Sequence, residues 1–97
     1  MRTLDRHTGG SPDNASVATT STLVAATSNN RGYLLIQNDS DVTIYVALNA
    51  AAELNKGIRL NAGGGSYEIN FTNLFTGPIY AIHGGSGIKN VCVQEGL

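Results

Sequence analysis

Tryptophan is absent from this 97-residue chain, and cysteine and methionine each occur once. A single Cys92 excludes an intrachain disulfide, so nothing covalent staples the fold. Charge is also scarce: 13% of residues are Asp, Glu, Lys or Arg, and the net charge is −1. Nucleic-acid binding needs a basic patch to neutralise phosphates, and six scattered Lys and Arg residues do not form one. No apolar run approaches the roughly 18–20 residues that a transmembrane helix requires. The opening MRTLDRHTGG lacks the apolar core of a signal peptide. The Asn-x-Ser/Thr matches at Asn14, Asn38 and Asn70 therefore carry little weight as glycosylation signals. The expected product is soluble, made in the cytoplasm, with neither nucleic acid nor membrane as partner.

What the chain does have is glycine, small polar residues and short alternating apolar runs. Its length suits one domain and is too short for two. A weakly charged surface over a small core is a physical reason to expect self-association or a permanent partner. Residues 1–14, MRTLDRHTGGSPDN, hold one useful apolar side chain, Leu4, and read as a flexible arm ahead of a domain at 15–97. In ASVATTSTLVAATSNN, residues 15–30, Val17, Thr19, Ser21, Leu23 and Ala25 fall on one face of a weak or edge strand.

The central stretch RGYLLIQNDSDVTIYVAL carries the strongest pattern. Leu34 and Ile36 alternate with Tyr33, Leu35 and Gln37, and Val42, Ile44, Val46 and Leu48 alternate with Thr43, Tyr45 and Ala47. Between them, Asn38-Asp39-Ser40-Asp41 predicts a hairpin turn, because Asn and Asp side chains bond locally to backbone. The segment 50–54 has room for one helical turn, and Gly63–Gly65 predicts a tight turn. Tyr67, Ile69 and Phe71 alternate again. Ile79–His83 and Ile88–Glu95 form two further strands, joined by a hairpin over Gly84–Gly87. About seven short strands with glycine- or asparagine-rich turns predict an all-β fold, a small antiparallel sandwich or barrel with an extended N-terminal arm.

Candidate chemistry is thin. As an EF-hand, the acidic block would need Gly at the sixth position and Glu at the twelfth. Counting from Asp39 gives Ile44 and Ala50, and from Asp41 it gives Val46 and Ala52, so both registers fail. His83 and Cys92, on strands expected to be adjacent, suggest a Cys–His dyad, yet catalysis would also need an orienting group and an oxyanion hole. The alternative is a small cysteine that packs or is mildly exposed. His7 falls in the arm as a solvated side chain. The glycine clusters match neither a P-loop nor a dinucleotide fingerprint. Glu53, Glu68 and Glu95 lie in three separate segments and read as solvated, without the Trp of a sugar platform. The expectation is no catalytic residue, no cofactor and no metal.

The order RGYLLIQNDSDVTIYVAL, GIRLNAGGGSYEI, TGPIYAI and VCVQE resembles small capsid cement or decoration proteins of tailed bacteriophages. The likeness runs from Arg31 to Glu95 and contains no catalytic signature. It implies a β-sandwich or barrel on the capsid exterior, commonly a homotrimer, in contact with the major capsid protein. In that setting the arm would offer Arg2, Leu4 and Arg6 to the capsid, and arm and strand edges together would clamp adjacent subunits. A head-fibre base, tail or adaptor component is the alternative within virion proteins. A glycan- or cell-surface-binding β domain is the alternative outside them.

Overall fold

The computed structural model describes residues 10–96. Eight strands are present among them: β1 (Gly10–Val17), β2 (Thr22–Ala25), β3 (Tyr33–Asn38), β4 (Ile44–Leu48), β5 (Ile58–Leu60), β6 (Ser66–Ile69), β7 (Ile79–His83) and β8 (Lys89–Gly96). They form two four-stranded sheets, β1-β8-β3-β6 and β2-β7-β4-β5, called sheet A and sheet B below. Every pairing is antiparallel. The fold is an all-β sandwich, and its strand order is that of an eight-stranded jelly roll.

Alternation builds the core. Leu34, Ile36, Val91, Val93 and Ile69 point inward from sheet A, and Ile44, Val46, Leu60, Ile79 and Ala81 meet them from sheet B. Each buried Leu, Ile or Val contributes roughly 1.5–3 kcal/mol by leaving water.

Two expected hairpins are absent. The residues after Asn38 carry the chain from sheet A to sheet B, and those after His83 carry it back. Segments 39–43, 61–65 and 84–88 are each five residues long, enough to span the roughly 10 Å between facing sheets. A hairpin would have kept both strands in one sheet. The single expected strand over 15–30 is also replaced. Residues 18–21 break the ladder and reset the alternation, so Val17 is fully buried in β1 while Leu23 in β2 is 48% exposed. That break makes eight strands where about seven are predicted.

The expected arm is shorter at its C-terminal side, because Gly10–Asn14 pair with β8 from Gly96 to Cys92. Its remaining part, with the predicted contacts Arg2, Leu4 and Arg6 and with His7, lies outside the described residues. No helical turn forms at 50–54. The nine-residue β4–β5 connection instead folds over the outer face of sheet B. Ala52 N–H donates to Ser21 Oγ (2.8 Å), on the far side of β7, and Tyr45 Oη–H donates to Asn55 Oδ1 (2.9 Å). Ala52 within this flap and Ile82 of β7 are both buried, although Ile82 points away from the core.

The glycine turn at 63–65 is required for two different reasons. Gly63 has φ +73° with open space around it, whereas a Cβ on Gly65 would lie 2.6 Å from Asn61 O. Gly65→Ala should therefore cost about 2–3 kcal/mol through overpacking against backbone. Gly63→Ala should cost about 1–2 kcal/mol through left-handed strain alone. Urea unfolding of the two variants checks that order.

Candidate functional site

Among the described residues three polar side chains are fully or almost fully buried: Arg31, Asn38 and His83. Each sits where the backbone leaves a ladder. Arg31, at the end of the sandwich that also holds the start of β1, donates from Nε to Glu95 Oε2 (2.8 Å). Its Nη1 donates to Phe75 O (3.2 Å) and Gly77 O (3.0 Å), and Nη2 donates to Ala26 O (2.7 Å). One guanidinium thus joins the β2–β3 connection, the β6–β7 connection and the C-terminal end of β8. A buried cation is tolerated only when paired and hydrogen-bonded, and Arg31 is both.

At the opposite end, Asn38 Nδ2 donates to Val42 O (2.7 Å), Leu60 O (3.0 Å) and Asn61 O (3.2 Å). Ser40 Oγ–H donates to Asn38 Oδ1 (2.6 Å). The block that raised the cation question is therefore an inter-sheet crossing pinned by amide and hydroxyl. Asp39 accepts from Asn90 Nδ2, and Asp41 pairs with Lys89 Nζ at 2.9 Å. Among the described residues no group of three or more His, Cys, Asp and Glu side chains is placed to hold a metal ion.

The two residues weighed as a dyad are separated. His83 faces inward from sheet B, and Cys92 is exposed on the outer face of sheet A. Gly85 N–H donates to His83 Nδ1 (3.1 Å), which leaves Nε2 to carry the proton and donate to Gly87 O (2.8 Å). The histidine shapes the 84–88 loop. The three carboxylates are separated as well. Glu53 meets Lys56 on the flap, Glu68 points outward from β6, and Glu95 holds Arg31. Hydrogen bonding to Glu68 raises the Tyr33 phenol above its ordinary value. A cleft of about 240 Å³ opens between β1 and β2, near Asp13, Val24, Thr27 and Arg31. Its ionic pair, Arg31 with Glu95, is already mutually engaged, so the cleft offers no free charge pair to a ligand.

A further surface is the outer face of sheet A. Asn14, Cys92, Gln37 and Ser66 form one cross-strand row, and Pro12, Gln94, Leu35 and Glu68 form the next. These two rows contain a single charge, Glu68. No loop of the described chain folds over them as the 49–57 segment folds over sheet B. The buried roles of Asn38 and His83 were legible in part, since each continues an inward alternation, Leu34-Ile36-Asn38 and Ile79-Ala81-His83. Nothing local marks Arg31, whose partner Glu95 is 64 residues away.

Glu95→Ala should leave Arg31 buried without its counter-ion and cost about 3 kcal/mol. Glu53→Ala, which breaks a solvent-exposed pair, should change stability by about 0.5 kcal/mol or less. Chemical denaturation of both variants tests the contrast. Hydrogen bonding from Lys89 and from its own backbone N–H, then the Lys89 charge, hold the Asp41 carboxyl below its ordinary range. A carboxyl lowered on folding supports the fold above its unfolded pKa, and that support disappears as pH falls through the lowered folded value. Carbon-detected titration should find the Asp41 midpoint depressed, and Lys89→Met should return it toward the usual carboxylate value.

Comparison with known protein families, curated proteins and solved structures finds no match. Any functional reading therefore stands on the residues and geometry described above.

Proposed function

We propose that this chain is a virion structural protein of a tailed phage that binds the outer capsid surface and stabilises contacts between major capsid subunits. It acts without catalysis, as a homotrimer. The observation that carries this reading is the bare outer face of sheet A. It is broad, presented by four strands, and nearly uncharged. The centres of protein interfaces are depleted in charged residues, so this composition suits a partner surface better than a solvated one. The three buried polar residues all serve the scaffold, which leaves none of them for turnover of a substrate. Jelly-roll sandwiches occur in viral capsid domains, and also in lectins and cupins, so the fold is compatible with the proposal without selecting it.

Capsid binding also gives a use to modest individual contacts. Many copies repeated by shell symmetry act together where geometry lets them engage at once. The test is co-sedimentation of the purified protein with phage capsids stripped of their decoration. Saturable binding is expected, with Gln37→Glu plus Cys92→Glu reducing affinity about tenfold or more, on the order of 1.4 kcal/mol. Absence of binding to any such capsid, together with glycan-array signal, would replace this reading with the sugar-binding one.

A further inference from the structure

The hydrogen-bond directions in sheet A identify which backbone groups its two outer strands present to solvent. Asp39 N–H donates to Asn90 O, toward β8, while Asn38 N–H donates to Gly65 O, toward β6. Successive residues of a strand aim their N–H and C=O to opposite sides. Gln37 therefore aims at β8, and its register partner Cys92 aims back at β3. Asn14, which also faces Cys92, must then aim its backbone away from β8. By the same alternation Pro12 and Ser16 aim outward with it.

That free edge is nearly without usable donors at its centre. Pro12 has no N–H, and the Asn14 N–H donates to Asp13 Oδ1 at 2.8 Å. The opposite edge is closed by another means. Asn38 N–H and Gly64 N–H show β3 and the 61–65 turn bonding across the β6 side. Alternation then directs Ile36 at Tyr67 and leaves Glu68 and Asn70 aimed outward. The Asn73 side-chain amide occupies both: Oδ1 accepts from Asn70 N–H (2.7 Å), and Nδ2 donates to Glu68 O (2.9 Å). A primary amide in this position offers the same donor and acceptor as the peptide group of an added strand.

Sheet B is guarded differently. Its edge strand β5 has three residues, with Arg59 in the middle, and its edge strand β2 has four and is irregular between Leu23 and Ala25. Short, charged or bulged edges are poor templates for further pairing.

We infer that Pro12, Asp13 and Asn73 are edge guards that close both sides of sheet A to strand addition, so that this protein meets copies of itself and its partners through faces and loops. Unsatisfied edge amides are the template on which another chain would pair, and the guards remove that template from the middle of β1 and from the outer side of β6. The inference is independent of the proposed capsid role.

Two experiments test it. In the unaltered protein, amide hydrogen exchange should find Asn14 and Asn70 at least about tenfold slower than Ser16 and Glu68, which aim outward without such a cap. Equal rates at all four amides would overturn the inference. Light scattering should then show that the triple variant Pro12→Thr, Asp13→Thr, Asn73→Ala forms concentration-dependent species larger than those of the parent, with added β signal in the infrared. A folded triple variant that keeps the parent's mass at every concentration would overturn it as well. Circular dichroism confirms that the variant is folded, and the exchange measurement stands on its own where the variant does not fold.

Discussion

Six of the seven connections between strands carry the chain from one sheet to the other, and the rest of the structure depends on satisfying the backbone at those crossings. A ladder pairs its own N–H and C=O groups, but a crossing strips them of neighbours close to an apolar core. Leaving such groups unpaired costs about 1–3 kcal/mol each. Arg31, Asn38 and His83 supply what the ladders cannot. Arg31 collects three carbonyls at one end of the sandwich, and Asn38 collects three at the other. His83 fixes both ends of its glycine loop. Among the described residues no buried side-chain nitrogen or oxygen is left without a partner.

This use of polar residues shapes the surface. Arg31, Asn38 and His83 are turned inside toward backbone, and the outer face of sheet A is left mainly to uncharged side chains. The two sheets then differ. Sheet B is covered by its own 49–57 flap, held by Ser21 and Tyr45, while sheet A stays open across its width. A protein with one bare, neutral face and guarded edges is suited to lie flat against another surface. Its edges are unsuited to extending a neighbour's sheet.

Strand positions were legible because the side-chain period of a strand is a local property. Leu34-Ile36 and Ile44-Val46 point inward as their alternation predicts. The turn residues were also recognised correctly as breaks, yet their destination was not. Asn38–Asp41 and Gly84–Gly87 look the same in sequence whether they return the chain to its own sheet or send it across the core. The exposed, uncapped appearance of Glu95 likewise hides its pairing with Arg31, since the two meet only after β8 is inserted beside β3.

By itself the sequence determined the strand periods from Tyr33 onward, most of the breaks between strands and the shortage of charge, all set by neighbours a few residues apart. Only the tertiary structure decided which sheet each strand joins, which polar residues are buried, and which edges are closed. Those outcomes rest on hydrogen bonds between residues as distant as Arg31 and Glu95, and on the direction in which each backbone group points once its strand has neighbours.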